Sequence, residues 1–147
     1  MTSLTNSAAQ PAPERKESPR SLSVSCSATN VLVVDDDRSF RVLARSLLEP
    51  AGVRIAEAET GFNGLAYLKA HPREVDAVVM DLVLPDRDGI SAIREVKSAF
   101  PGIKVIAVSG ADSADLYLRV SAFLGADAVL SKSRIELLAA VLGEVLG

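Results

Sequence analysis

Three consecutive aspartates, Asp35, Asp36 and Asp37, directly follow the apolar run Val31-Leu32-Val33-Val34, and another, Asp81, follows Val78-Val79-Met80. Ser109, with Gly110 after it, ends the run Val105-Ile106-Ala107-Val108, and Lys132 stands two residues beyond Leu130. Carboxylates brought together repel, and one of them stays partly protonated unless a cation sits among them. Magnesium, a hard cation that takes oxygen ligands and keeps several waters, suits such a cluster. A hydroxyl, a backbone N–H and an ammonium opposite the acids are donors for an anion. Cation and anion donors around one carboxylate are what phosphoryl transfer requires. They neutralise the equatorial oxygens while a nucleophile attacks in line, and a carboxylate can itself be that nucleophile.

Each residue alone has an ordinary use. An aspartate after a strand caps the next helix, and Asp37 is expected to do so. Ser109 alone reads as a turn residue, and Lys132 alone as a solvated charge. Their joint placement at four strand ends is the argument for chemistry.

The elements that would position them alternate in kind. Short apolar, mostly β-branched runs stand at 31–34, 53–58, 77–80, 104–108 and 128–130. Between them the apolar residues take helical spacing: Phe40, Leu43, Ala44, Leu47 and Leu48; then Leu65, Tyr67 and Leu68; then Ile90, Ile93 and Val96. Leu116, Val120, Phe123 and Leu124 form a fourth segment, and Ile135, Leu138, Ala139 and Leu142 a fifth. Ser133 with Glu136 reads as a capping box at the start of the fifth, and Gly102 and Gly125 as helix-ending glycines. Five strands alternating with five helices predict an α/β fold, a three-layer doubly wound five-stranded parallel sheet. Right-handed crossovers make 2-1-3-4-5 one common strand order. Ligands of such sheets bind beyond the carboxyl ends of the strands, where the residues above stand.

The chain has 147 residues, 48% of them hydrophobic and 24% charged, which fits one globular domain. No apolar stretch is long enough to span a membrane. One cysteine, Cys26, excludes an internal disulfide and fits a reducing compartment, the cytoplasm. With 16 basic against 19 acidic residues, direct DNA binding is not expected. The average hides two parts. Residues 1–30 hold seven serines, three prolines and no aromatic residue, with three basic residues against two acidic. Such a segment cannot bury enough apolar surface to offset its ordering entropy, so 1–29 is expected to be a disordered extension and 30–147 the folded domain. No apolar run there makes a secretory signal.

Val31-Leu-Val-Val-Asp-Asp-Asp-Arg38, Val79-Met-Asp-Leu-Val-Leu-Pro-Asp-Arg-Asp-Gly89, Ile106-Ala-Val-Ser-Gly110 and Leu130-Ser-Lys132 together resemble a response-regulator receiver domain. The spacing from Asp81 through Pro85 to Gly89 is the most specific piece, and the resemblance covers about residues 30–147. It implies the flavodoxin-like receiver fold and a role in two-component signalling. It further implies that Asp81 is the phosphoacceptor, that Asp35, Asp36, Asp81 and the backbone carbonyl of Val83 hold Mg²⁺, and that Ser109 and Lys132 contact the phosphoryl group. The implied partners are a histidine kinase or phosphotransfer protein and a downstream protein target. On that reading the chain is not an enzyme but a phosphoacceptor supporting its own phosphorylation and dephosphorylation. The chain ends at Gly147, directly after the fifth helical segment, which suggests a stand-alone regulator. His71 reads as an exposed structural residue.

Departures from the family pattern carry consequences. The strand-five position that is often aromatic is Val129, which has no ring to swing. Ser133 replaces the proline that usually follows the lysine, so a trans bond and an altered path into the fifth helix are expected. Val83 and Ala111 are apolar where polar side chains could orient an attacking water, which predicts slow autodephosphorylation. Two other classes compete: an adaptor using the fold without phosphorylation, and a phosphatase of the haloacid-dehalogenase type. The latter needs a second aspartate two residues after the nucleophile, where this chain has Val83.

Overall fold

The computed structural model describes residues 28–110, 119, 122 and 125–147. The chain runs β1 (Asn30–Val34), α1 (Arg38–Leu48), β2 (Arg54–Ala58), α2 (Gly61–Ala70), β3 (Ala77–Asp81), α3 (Gly89–Ala99), β4 (Lys104–Ser109), β5 (Ala128–Ser131), a 3-10 segment (Lys132–Leu137) and α4 (Leu138–Leu146). All strand pairs are parallel and the sheet order is β2-β1-β3-β4-β5. This is the flavodoxin-like arrangement expected. Leu116, Val120, Phe123 and Leu124 of the fourth expected helix lie outside the described residues, as do Ala111 and the extension before residue 28. No helix among the described residues is long and apolar enough to cross a membrane.

Alternation along the strands builds the three layers. Leu32, Val34, Val78 and Met80 face one side, packing with Leu65 and Leu68 of α2 and Ile93 and Val96 of α3. Val31, Val33 and Val79 face the other, with Phe40, Ala44 and Leu48 of α1 and Leu138 and Leu142 of α4. β3 is buried at all five positions, as a central strand covered on both faces must be.

Local chemistry starts most of the helices. Asp37 caps α1 through Ser39 N–H at 2.9 Å, Thr60 caps α2 through Asn63 N–H at 3.0 Å, and Asp88 caps α3 through Ile90 N–H at 3.0 Å. The capping box expected at Ser133 and Glu136 does not form. Ser131 instead accepts from Ser133 N–H at 3.3 Å and starts the 3-10 segment, within which Arg134 leaves helical dihedrals (φ −118°, ψ 29°). The α-helix therefore begins only at Leu138. No peptide bond among the described residues is cis, so the Lys132–Ser133 bond is trans as expected. Gly125 takes the left-handed region (φ 113°) but Gly102 does not; α3 already ends at Phe100, whose N–H bonds Val96.

The α1 stripe also differs from expectation. Leu43 is exposed, and Arg41 is buried beside Phe40, Ala44 and Leu48. A charged side chain replaces leucine there because partners meet its head. Arg41 Nε donates to Glu57 Oε1 at 2.8 Å, and one terminal N–H donates to the Asp35 carbonyl at 2.8 Å.

Candidate functional site

Parallel strands in register deliver their ends to one edge. Val34 stands beside Met80, Asp81 beside Val108, and Ser109 beside Ser131. The next residues out are Asp35 after β1, Leu82 after β3 and Lys132 after β5. Asp35 N–H continues the ladder to Ala58 carbonyl at 3.0 Å, and Leu82 N–H does the same to Val108 carbonyl at 3.0 Å. The residues that follow β1 and β3 are thus held by the sheet's own hydrogen bonding.

Asp35, Asp36 and Asp81 each offer a carboxylate oxygen within 4.8 Å of the others. Asp35 is fully buried, Asp81 is nearly so, and Asp36 is exposed. Asp35 Oδ1 accepts from Asp37 N–H at 2.8 Å, and Asp81 Oδ1 accepts from Val83 N–H at 3.2 Å. That second bond places the Val83 backbone at the site while its side chain stays exposed. Ser109 is buried at the end of β4. Lys132 Nζ lies 2.7 Å from Asp35 Oδ2 and 3.5 Å from Asp81 Oδ2.

The charges do not balance. Burial, then the neighbouring Asp35 charge, push the Asp81 carboxyl up to about 6, with Lys132 pulling the other way. Burial works against the Lys132 ammonium, but Asp35 and Asp81 outweigh it and raise its pKa. Asp35 Oδ2 is buried, and Lys132 Nζ at 2.7 Å is the partner that faces it. Three acids with carboxylate oxygens within 4.8 Å of one another, two of them buried and facing one lysine, fit a hard divalent cation with oxygen ligands.

Several neighbours that shape the site are not singled out by the sequence reading. Phe40, there only a core residue, lies under Lys132 with its ring centroid 4.5 Å from Nζ. Arg41 ties the Asp35 carbonyl to β2, with Glu57 held in turn by Arg45 at 2.7 Å. Asp86, in the loop after Asp81, accepts from Gly61 and Phe62 N–H at 2.9 and 2.8 Å, anchoring that loop to the start of α2. An arginine inside an apolar helical stripe was the available signal for Arg41; the other two depend on tertiary contact. His71 stacks on Tyr67 with ring centroids 4.3 Å apart and meets Glu74 at 3.1 Å, away from the acids.

An open parallel sheet in this order, with acids and a lysine gathered at the carboxyl ends of its strands, defines a flavodoxin-like signalling domain rather than a dinucleotide-binding one. Residues 31–142 match the model of the response regulator receiver domain, and the chain belongs to that family, which works in two-component signalling. It is 43% identical over 106 residues to the KDP operon transcriptional regulatory protein KdpE of Escherichia coli, covering 71% of this chain and 44% of that protein. It is 39% identical over 79 residues to the chemotaxis protein CheY of Halobacterium salinarum, covering 54% of this chain and 64% of that protein. The chain therefore spans less than two thirds of either relative. A solved CheY-like receiver domain from Methanospirillum hungatei superposes with a TM-score of 0.70 at 29% identity, covering 81% of this chain and 94% of that one.

Proposed function

We propose that the domain accepts a phosphoryl group on Asp81 from a histidine kinase or phosphotransfer protein in the cytoplasm, and signals through protein contacts as a stand-alone regulator. One observation carries the reading: the nearly buried Asp81 carboxylate stands between two other acids and the single ammonium of Lys132. Asp35, Asp36, Asp81 and the Val83 carbonyl would hold Mg²⁺. When bound, the metal supplies positive charge to the acids and to the incoming phosphoryl oxygens.

Everything else falls to the chain's own residues. An Asp81 oxygen forms a bond to phosphorus as the donor's bond to phosphorus breaks, its electron pair leaving with the donor. Lys132, now 3.5 Å from Asp81, faces the new phosphoryl oxygens. Ser109, at the end of the neighbouring strand, contributes its hydroxyl to another. Val83 N–H keeps the Asp81 carboxylate oriented at 3.2 Å. The same groups then serve hydrolysis of the acyl phosphate.

Incubation with Mg²⁺ and acetyl phosphate tests this. A mass gain of one phosphoryl group that is lost in Asp81→Asn supports it. No gain under conditions that label another receiver domain would assign the chain to the phosphorylation-independent adaptors. Continuous turnover of the donor would mark a phosphatase.

A further inference from the structure

The backbone after Lys132 does not by itself define where that side chain goes. The Lys132–Ser133 bond is trans, the six residues Lys132–Leu137 form a 3-10 segment, and Arg134 within it leaves helical geometry. Side-chain contacts therefore carry the task of aiming the ammonium. Two of them do not belong to the acids. Along the stem, Gly110 leaves room: a Cβ at that position would lie 3.3 Å from Lys132 Cδ and 3.5 Å from its Cβ. At the tip, the ammonium lies over the Phe40 ring, 4.5 Å from the centroid. Phe40 is buried in the layer between the sheet and α1, so its ring is itself fixed.

We propose that Phe40 is a positioning residue, its ring face holding the Lys132 ammonium over the Asp35–Asp81 pair. An ammonium within about 6 Å of a ring centroid is attracted by the ring's quadrupole, more strongly when partly desolvated. Lys132 is about three-quarters withdrawn from solvent, with a side-chain exposure of 24%. The ring adds a neutral attraction that does not compete with phosphoryl oxygens for the lysine's protons. Asp35 by contrast pulls the ammonium to 2.7 Å, deeper than Asp81 at 3.5 Å. Phe40 keeps the ammonium from settling wholly on Asp35, within reach of a group on Asp81.

This inference rests on the reading of Lys132 as a ligand of the phosphoryl group, and two measurements separate the two ideas. The first needs no phosphoryl chemistry. In the wild-type protein the Lys132 ε-methylene protons resonate upfield through the ring current of Phe40, and Phe40→Leu removes that shift while Phe40→Tyr keeps it. The second is the affinity for beryllofluoride with Mg²⁺, followed by calorimetry. Phe40→Leu weakens it about fivefold, the scale of a partly desolvated cation–π contact, and Phe40→Tyr restores it. Lysine protons that ignore Phe40→Leu would overturn the proposal. So would an affinity unchanged while those protons move, or a loss that tyrosine does not rescue. A wild-type protein that binds no beryllofluoride overturns the proposed function instead, and the ring-current shift then decides alone whether Phe40 holds the lysine.

Discussion

Gly89 lies against Asp81: a Cβ at position 89 would press into the Asp81 carbonyl oxygen and stand 2.5 Å from Leu82 Cα. The first turn of α3 thus packs directly on the backbone of the phosphoacceptor candidate, fixed by Gly89 N–H to Leu82 carbonyl at 3.1 Å. The eight-residue spacing from Asp81 to Gly89 is a packing requirement.

Gly89→Ala must therefore move backbone, since neither neighbour is a flexible side chain. Overpacking of this kind costs about 1–3 kcal/mol, read as a lowered urea midpoint. Because the shift falls on Asp81 itself, acetyl phosphate labelling should slow as well. A variant with wild-type stability and labelling would mean that α3 slides freely against β3.

The pH dependence follows from Asp81. Its carboxyl is pushed up to about 6 from the ordinary 3.8 by burial first and Asp35 second. The folded state thus keeps a proton that the unfolded chain releases lower down. The stability this contributes is complete below pH 3.8 and is lost as pH rises to about 6. In metal-free buffer, Asp81→Asn should be more stable than the wild type at pH 7, with the gap closing toward pH 4. Added Mg²⁺ should stabilise the wild type at pH 7 in proportion to its binding, and far less so the variant. Urea titrations at several pH values check this; a gap independent of pH contradicts it.

Arg41 gives a separate prediction on stability and metal affinity. Removing one member of a buried ion pair leaves the other charge uncompensated. Glu57 keeps 29% of its side chain exposed and retains Arg45, so solvent softens the loss. Arg41→Met should cost about 2 kcal/mol, below the 3–5 of a fully buried pair. It also deprives the Asp35 carbonyl of its donor, so Mg²⁺ affinity measured by calorimetry should fall. Glu57→Gln, which leaves that donor in place, should affect the metal less. Equal losses of affinity in both variants would show that Arg41 acts only through stability.

The strand ends were legible because a buried parallel strand is apolar along its whole length, so the first polar residue marks its exit. Asp35 is the first polar residue past β1, Asp81 and Ser109 are the polar last residues of β3 and β4, and Lys132 follows Ser131 at the end of β5. The cap at Asp37 was legible for a local reason, an aspartate ahead of a helical stripe. The start of the last helix was not. Ser131 takes the Ser133 N–H first, and the capping pattern two residues later has nothing left to cap. Leu43 and Arg41 exchange their expected places because Glu57 and the Asp35 carbonyl, from two other segments, neutralise the arginine. The lysine's seat on Phe40 joins residues 92 positions apart, beyond any local pattern.

The lifetime of an acyl phosphate on Asp81 depends on how an attacking water is oriented. Val83 is the nearest side chain in sequence that could do this: its N–H already bonds Asp81 Oδ1, and its side chain is 54% exposed. Water can therefore reach it, but an isopropyl group offers no hydrogen bond. An asparagine there would present a donor and an acceptor from the same backbone position, with no buried space to fill. A hydrogen bond formed in the transition state is worth about 0.5–1.5 kcal/mol net, so Val83→Asn should speed phosphate loss about two- to tenfold. The variant should leave phosphorylation by acetyl phosphate and the urea midpoint close to wild type. Decay of the phosphorylated protein, followed by intact mass in excess Mg²⁺, measures it. Unchanged decay would place the control of hydrolysis away from this side chain.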